Sequence, residues 1–334
     1  MPGDLGSSLE PAGSLLRTIE NYKATNKEKT MVNTSFYSNK TQVSYYNVWT
    51  TKNMQLIFLA VIFPIFCLCL LSVIVILCVF FTTSHIRENV RYLLFSHMLI
   101  SDSLQLTLAN TLFLAAIFSV YMPVKYCCII VAITVTTCVI TPYNLALMSL
   151  ERYIAVCFPL RHGEICTVRR CNVAIIVIWV IGALPVLTEI IIMSYFTDKN
   201  FFSLKKMCIW RFLQIYKFQT TMRFLVFSLS FGIVVLIIFY TYIRVMLVAR
   251  KIGSKQSSAF KATRTVLIHS FQLLLCLCSY TNIFTETLFK NHYAYMALTN
   301  FFVFTCLPQY ISPFIYGIRD EVIRKCIRKL FCPP

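Results

Sequence analysis

The sequence predicts an all-α fold: a bundle of seven transmembrane helices followed by a short cytoplasmic amphipathic helix. Of its 334 residues, 58% are hydrophobic and only 13% are charged, and the mean hydropathy is +0.71. Such a composition lies outside the range of soluble domains and indicates a bilayer as solvent. The apolar residues also fall into seven long stretches that are joined by short polar loops.

Each stretch reaches the length of about 20 residues that a helix needs to cross the hydrocarbon core. The stretches are Met54–Thr83, Tyr92–Tyr121, Tyr126–Leu150, Val173–Phe196, Phe224–Ile243, Thr265–Thr285 and Tyr293–Ile318. Because they are continuous rather than alternating, they predict helices and not the strands of about 10 residues that form a membrane barrel. We expect residues 1–53 to form a disordered, glycosylated extracellular tail, 54–318 the bundle and 319–334 the cytoplasmic helix and tail.

The orientation follows from sugars and charge. Two glycosylation sequons, at Asn33 and Asn39, lie before the first span, and glycosylation requires a lumenal or extracellular location. This orientation places seventeen Lys and Arg residues inside and fourteen outside, in the direction of the loop-charge rule. The tail has no apolar signal-peptide core, so the first span would direct insertion, and Met31 is an alternative start. We expect a multi-pass plasma-membrane protein with a cytoplasmic C-terminus.

The net charge of +18 does not predict a nucleic-acid partner, because the basic residues cluster at helix ends, where they flank membrane lipid. The sequence also lacks the motifs of common enzyme and metal sites. It contains no pair of histidines four residues apart, no Cys-x-x-Cys, no Gly-x-Ser-x-Gly and no phosphate-binding loop. We therefore expect neither an enzyme nor a metal centre.

Most of the fifteen cysteines lie inside spans, where they act as small apolar packing residues. Cys208 lies in the outer loop after the fourth span, and Cys127 and Cys128 lie at the top of the third. These positions face an oxidising compartment. One disulfide is predicted between Cys208 and either Cys127 or Cys128.

Two groups of charged residues interrupt the apolar pattern. Asp102 lies in the middle of the second span, where an ionisable side chain costs several kcal/mol unless it is paired or hydrated and so marks a functional site. Glu151, Arg152 and Tyr153 follow the uncharged stretch of the third span. Taken alone, these three residues also suit an anchor at the membrane interface.

Five sets of residues in order resemble the rhodopsin-like G-protein-coupled receptors, and among them the odorant receptors, especially those of aquatic vertebrates. In chain order, the first two sets are Asp102 and Cys127, which lies twenty-five residues before Arg152. The third is Leu-Glu-Arg-Tyr-Ile-Ala-Val-Cys (150–157) with Pro159-Leu160-Arg161-His162, and the fourth is Lys261-Ala262 with His269. The fifth is Ser312-Pro313-Phe314-Ile315-Tyr316 with the basic amphipathic stretch Arg319 to Phe331. The resemblance extends from Met54 to Phe331.

The resemblance implies roles for residues at matching positions. It implies a G-protein switch made of Glu151, Arg152, Tyr153, Tyr240 and Tyr316. It implies a buried polar cluster, which holds a sodium ion or water, made of Asp102, Thr141, Gln309 and Ser312. It also implies that Cys127 is the partner of Cys208. No other cofactor is implied.

A ligand pocket is expected between the outer halves of the third, fifth, sixth and seventh helices, because small-molecule sites in bundles form between helices. By position its residues are Thr134, Cys138, Ser228, Tyr280, Phe284 and Thr305. Each of these residue types also suits helix packing.

The implied partners are a small odorant and a heterotrimeric G protein of the olfactory stimulatory type, which raises cyclic AMP. The basic loop from Lys199 to Arg223 could attract a water-soluble, anionic odorant, but a solvated basic loop is the commoner reason for such a composition.

After the seventh span, an apolar face flanked by basic residues predicts a helix in the inner leaflet interface, with Cys326 and Cys332 as palmitoylation sites.

The sixth span departs from the family because no acid at its cytoplasmic start can hold Arg152, which leaves Glu151 or packing to do so. Two alternatives remain: a non-olfactory receptor of the same class for a small molecule or peptide, and a transporter or channel. The absence of an internal repeat argues against a transporter.

Overall fold

The apolar stretches form long helices in the computed structural model, which describes residues 52–197, 199–208, 217–251, 271, 299–313 and 325–326. Five described helices are long and apolar enough to cross a membrane. The first span consists of helix Lys52–Ile57, the π-helical turn Phe58–Ile62 and helix Phe63–Thr82; the second is Val90–Ile117, the third Val124–Cys157, the fourth Val168–Phe196 and the fifth Lys217–Lys251. The predicted sixth span is outside the described residues except for Phe271. The helical architecture confirms the predicted fold class.

Two spans contain a π-helical turn, and each turn precedes a proline. The turn Phe58–Ile62 ends two residues before Pro64, and the turn Phe301–Cys306 of the seventh span ends two residues before Pro308 in helix Leu307–Pro313. Proline has no N–H to donate to the carbonyl four residues earlier, so the helix widens locally where that bond is missing. Pro142 in the third span and Pro185 in the fourth have no π-helical turn before them, so a proline alone does not produce such a turn.

An aromatic stack joins these turns across the second span. The Phe113 ring lies 5.1 Å from the Phe58 ring and 4.1 Å from the Phe301 ring, centroid to centroid. All three side chains are buried. Stacked aromatic pairs contribute about 0.5–1.5 kcal/mol beyond the area they bury. The stack thus links the first, second and seventh spans.

Short elements connect the first span to the second and the third span to the fourth. Helix Ser84–Arg87 separates the first two spans, and the 3₁₀ turn Pro159–Arg161 with helix His162–Ile165 separates the third and fourth. The side chains of Asn89 and Thr167 cap the second and fourth spans by accepting hydrogen bonds from backbone N–H groups. These caps explain why the two spans begin several residues before their apolar stretches.

The outer loops contribute a small antiparallel sheet that the sequence pattern does not predict. Strand β1, Tyr121–Pro123, pairs with strand β2, Lys205–Met207, and Tyr121 lies opposite Met207. The 3₁₀ turn Lys199–Ser203 precedes β2. The second span ends at Ile117, four residues before its predicted end, because the chain turns at Ser119, whose φ of 52° cannot continue a right-handed helix.

A disulfide fixes this sheet to the third span. Cys208, directly after β2, is bonded to Cys127, and the Cα atoms are 5.6 Å apart. Cys128 is a free, buried cysteine that packs against Val124 and Met193. The predicted disulfide is confirmed, and of the two candidates the bond uses Cys127. Neighbouring helical residues point about 100° apart, so only one can face the loop.

Candidate functional site

The C-terminal end of the third span carries a cluster of one acid and two bases, which we call the Glu151 cluster: Glu151, Arg152 and His162. Glu151 Oε2 lies 3.2 Å from Arg152 Nε, and Glu151 Oε1 lies 3.3 Å from His162 Nε2. The Glu151 side chain is only 7% exposed, against 21% for Arg152 and 32% for His162. The carboxylate is therefore held by a different partner at each oxygen.

The connecting loop places His162 within reach of Glu151. The third span ends at Cys157, seven residues beyond its predicted end, because the charged residues continue the helix where it leaves the apolar layer. Phe158 then adopts a non-helical conformation (φ −133°, ψ 57°), and Pro159 begins the 3₁₀ turn. Proline is favoured at the start of a helical turn because its missing N–H has no partner there. The turn brings His162 back to the side of the span that carries Glu151.

An aromatic group borders the Glu151 cluster. The Tyr153 ring lies 5.9 Å from the Tyr240 ring of the fifth span and 5.8 Å from Phe158, edge to face in both cases. The third and fifth spans are also linked where the Cys157 thiol lies 4.0 Å from the Arg244 carbonyl oxygen. The structure thus brings four predicted switch residues to one end of the bundle, while Tyr316 lies outside the described residues.

The charge of Glu151 extends to the neighbouring loop. Cys166, at the end of helix His162–Ile165, has a pKa raised above its ordinary value, first by burial and second by the negative charge of Glu151. Both effects keep this thiol protonated, so Cys166 is a poor nucleophile. Cys166 therefore does not add a reactive thiol to the Glu151 cluster.

The buried acid of the second span also has a partner on the third. Thr141 Oγ1 donates a hydrogen bond of 2.9 Å to Asp102 Oδ1, and Asp102 is 3% exposed. Gln309 of the seventh span is buried nearby, and its side-chain oxygen accepts no hydrogen bond from the part of the chain that the structure describes. Ser312 lies in helix Leu307–Pro313, but its side chain is not among the described ones.

A small cavity separates Asp102 from Gln309. Its lining comes from the first, second and seventh spans and includes Cys69, Leu70, Val73, Leu99, Asp102, Ser103, Leu106, Gln309 and Pro313. The volume in which the centre of a water molecule can move is about 10 Å³. A single water needs about 10–15 Å³ on this measure. The cavity therefore suits one water or one small ion, and the side-chain oxygens of Asp102 and Gln309 in its lining are the ligand type that a hard cation prefers.

A second polar network, which the sequence did not reveal, ties three spans together one turn closer to the Glu151 cluster. Trp179 Nε1 donates to His97 Nε2 at 2.9 Å, and His97 Nδ1 lies 3.0 Å from Asn144 Oδ1. Because the indole N–H can only donate, His97 Nε2 must accept, and the ring proton lies on Nδ1. Asn144 Nδ2 in turn donates to Ser101 Oγ at 3.3 Å. Both nitrogens of a neutral histidine are thus used.

The predicted ligand-pocket residues are only partly covered by the structure. Thr134, Cys138 and Thr305 are half-buried, and Ser228 is exposed on the fifth span. The Thr134 hydroxyl donates to the Ile130 carbonyl within its own helix. Tyr280 and Phe284 lie outside the described residues, so the pocket stays a prediction.

The predicted modification sites are also only partly covered by the structure. Cys326 is half-buried and free, while Cys332, Asn33 and Asn39 lie outside the described residues. Their modification remains an expectation from the sequence.

Comparison with known proteins identifies the class. Residues 72–316 match the family described as the seven-transmembrane receptors of the rhodopsin family. This match covers more than half of the chain, so the protein belongs to that family. The family is one of receptors and not of enzymes, and the apolar helices agree with a multi-pass membrane protein.

Several relatives point to a narrower likeness. The chain is 27% identical over 239 residues to Odorant receptor 131-2 of Danio rerio, which covers 70% of this chain and 74% of that protein. It is 22% identical over 209 residues to Olfactory receptor 1078 of Rattus norvegicus, or 57% and 58% of the two chains. It is 25% identical over 194 residues to Olfactory receptor 7A17 of Homo sapiens, or 56% and 62%. The predicted resemblance to odorant receptors is confirmed.

His162 is the residue of the Glu151 cluster that sequence reasoning missed. The sequence showed it at the end of Pro159-Leu160-Arg161-His162, eleven residues after Glu151. That spacing alone says nothing about contact, because the approach depends on the turn after Cys157. A histidine beside a proline-started turn, soon after a charged helix end, is the only signal that could have suggested it.

Proposed function

We propose that this protein is an odorant receptor that binds a small odorant between its helices and activates a heterotrimeric G protein at its cytoplasmic end. The observation that carries the proposal is the Glu151 cluster: a nearly buried carboxylate holds the adjacent Arg152 with the help of a loop histidine. The likeness to odorant receptors of fish, rat and human supports the ligand class.

In the resting state Glu151 holds Arg152 at the end of the third span. On activation the sixth span moves outward, Arg152 leaves Glu151 and contacts the G protein, and Tyr240 and Tyr316 fill the space. The edge-to-face contact between Tyr153 and Tyr240 supports this step, since it places Tyr240 beside the cluster before activation. No acid of the sixth span is needed to hold the arginine.

The odorant acts at a distance, and its effect is limited by its preference for the active state. Each tenfold difference in affinity between the two states shifts their ratio by about 1.4 kcal/mol. We place the odorant among Thr134, Cys138, Ser228, Tyr280, Phe284 and Thr305, in the outer halves of the helices. The half-burial of Thr134, Cys138 and Thr305 is compatible with that position.

Asp102 is the proposed centre of the polar cluster that couples the two ends. If a sodium ion binds there, the oxygens of Asp102 and Gln309 are those that would hold it, and Thr141 would orient the Asp102 carboxylate through its hydrogen bond. The ion would supply a positive charge that stabilises the ionised Asp102. The room for a single water-sized occupant and the Gln309 oxygen that accepts no hydrogen bond within the described residues support this assignment.

We also propose that the N-terminus is extracellular and that the receptor works at the plasma membrane. The Cys127–Cys208 disulfide supports this orientation, because such bonds form and persist in oxidising compartments. The upper end of the third span is then outside, and the two preceding spans place the start of the first span on the same side. The signal is a rise in cyclic AMP through a stimulatory olfactory G protein.

The test is a cyclic AMP assay in cells that express the chain together with an olfactory-type stimulatory G protein. Water-soluble and volatile odorants are applied to the wild type, to Arg152→Ala and to Arg169→Ala at matched surface levels. Arg169 is an exposed arginine outside the Glu151 cluster and serves as the matched control. We expect a response in the wild type and the control that Arg152→Ala loses. A response that Arg152→Ala retains would overturn the switch.

A further inference from the structure

Lys206, in strand β2 of the outer loop, has its ammonium held in a fixed position. Its Nζ atom lies 4.9 Å from the centroid of the Phe201 ring. Phe201 packs in turn against Val124, Cys128 and Met193 at the outer ends of the third and fourth spans. A cation over an aromatic face is attracted by the ring quadrupole. The packed ring thus positions the ammonium relative to the helix bundle.

The backbone that carries Lys206 is equally constrained. Lys206 pairs with Met122 of β1, and two residues later Cys208 is bonded to Cys127 of the third span. The Val124 N–H also donates to the Leu204 carbonyl at 3.0 Å, which joins the third span to the loop. Residues two apart in a strand share a face, so Lys206 lies on the face from which Cys208 reaches the bundle. This lysine is therefore not a mobile surface side chain.

No carboxylate of the described residues forms an ion pair with Lys206. Burial removes water from the ammonium and lowers its pKa below the ordinary value for lysine. Among the described residues, the ion pairs all involve Glu151 at the opposite end of the molecule. Exposed Lys205 is adjacent, and Lys125 has its Nζ 5.0 Å from the Tyr126 ring centroid. Within the described residues, two lysines at the outer mouth thus contact ring faces.

We propose that Lys206 forms an anion-binding subsite at the extracellular mouth, which takes the carboxylate or sulfonate group of a small organic anion. The ring holds one side of the ammonium and the anion completes the other. Lys205 and Lys125 raise the local concentration of anions without contacting them. The inference rests on the proposed function in one respect, because it gives the odorant a negative charge.

The binding test uses purified full-length protein in detergent, and its melting temperature is followed against ligand concentration. Butanoate, benzoate and butanesulfonate are compared with methyl butanoate and methyl benzoate, which have similar shapes without the charge. The variants are Lys206→Met, which keeps the length of the side chain, Lys206→Arg, which keeps the charge, and Lys205→Met as the exposed neighbour.

We expect at least one anion to stabilise the wild type more than its ester does. In Lys206→Met the concentration needed should rise about tenfold, since loss of a charge-assisted hydrogen bond weakens binding by roughly that factor. In Lys205→Met the concentration needed should change less than about twofold, because this exposed charge acts on the anion only at long range and is screened by salt. Lys206→Arg should retain most of the binding. Equal stabilisation of wild type and Lys206→Met, equal losses in Lys205→Met, or no stabilisation by any of the anions would overturn the proposal.

A parallel cyclic AMP assay separates this inference from the proposed function. Charge-dependent stabilisation without any cyclic AMP response to any ligand would contradict the receptor proposal and leave the subsite standing. A response of the wild type to odorants that does not distinguish acids from esters, with no effect of Lys206→Met, would contradict the subsite and leave the receptor standing.

Discussion

The two ends of the third span balance their charges in opposite ways. At its C-terminal end, the inner end in the proposed orientation, Glu151 contacts Arg152 and His162, so acid and bases satisfy one another within the chain. At its N-terminal end, the outer end in the proposed orientation, Lys125 and Lys206 lie over the rings of Tyr126 and Phe201. This difference is the basis of the two proposals above: a latch at the inner end, where the charges are paired, and a site for an external anion at the outer end, where lysines lie over rings.

The ends also differ in what holds them in place. The outer end is fixed by a covalent bond, two paired strands and a packed aromatic cluster. The inner end depends on an ion pair between Glu151 and partly exposed bases. Breaking a fully buried pair costs roughly 3–5 kcal/mol, and a surface pair contributes roughly 0–1 kcal/mol, so this partly exposed pair should lie between the two. A bond of intermediate strength suits a latch that has to open.

The largest expected effect comes from the covalent bond of the outer end. Cys208→Ser removes a disulfide that spans 81 residues, and closure of a loop of that length stabilises by about 4.5 kcal/mol in the chain-entropy estimate. We expect surface expression, measured by flow cytometry on intact cells, to be lost. Cys128→Ser is the matched control and should express normally. Similar losses in both variants would mean that the loop is held in another way.

A second change tests whether close packing between the third and fourth spans joins the two ends rigidly. Gly182 lies so close to the third span that an added Cβ would meet Ile140 Cγ1 at 2.9 Å and the Thr136 carbonyl oxygen at 3.4 Å. Gly182→Val should therefore lower the free energy of unfolding by about 1–3 kcal/mol through overpacking, and with it the melting temperature of the purified protein. Gly232→Val is the control, since nothing lies within 4 Å of that position. An equal drop in both would remove the argument from close packing.

A smaller effect is expected when the loop residue of the latch is changed. His162→Ala removes one hydrogen bond to Glu151, worth about 0.5–1.5 kcal/mol, so basal cyclic AMP should rise about three- to tenfold. His162→Gln, which keeps a donor at similar reach, should restore the low basal level. Arg161→Ala changes an exposed neighbour and should have no effect. If alanine and glutamine at position 162 behave alike, the hydrogen bond has no role in the latch.

The smallest expected effect concerns the turn before β1. Ser119 has a φ of 52°, a conformation that glycine adopts without strain, and its buried hydroxyl has no hydrogen-bond partner among the described residues. Ser119→Gly should stabilise the purified protein by about 1 kcal/mol, seen as a small rise in melting temperature. Ser119→Ala removes the hydroxyl and retains the strain, so it should gain less. A loss of stability in the glycine variant would show that the turn is not strained.

The sequence predicted the spans because apolar length is set by the bilayer, whatever the tertiary structure. It could not predict where helices continue beyond the apolar layer, and the third span therefore runs on to Cys157. The three-residue strands Tyr121–Pro123 and Lys205–Met207 were too short to give an alternating pattern.

Contacts between separate elements were the other limit. Glu151 and Arg152 are neighbours in the chain, so their ion pair could be predicted, and Asp102 was evident as a buried charge. The approach of His162, the bonds of His97 to Trp179 and Asn144, and the position of Lys206 over Phe201 depend on how loops and helices meet. None of these side chains differs in local sequence from a solvent-facing or packing residue.

The most direct test of the latch is the basal cyclic AMP level of Glu151→Gln, measured without odorant at the same surface density as the wild type. Glutamine keeps the shape of the side chain but removes the charge that holds Arg152, so we predict a basal level about tenfold higher, which corresponds to about 1.4 kcal/mol. Arg152→Ala added to this variant should abolish the rise. A basal level equal to that of the wild type would contradict the account, because Arg152 would then be restrained by something other than Glu151.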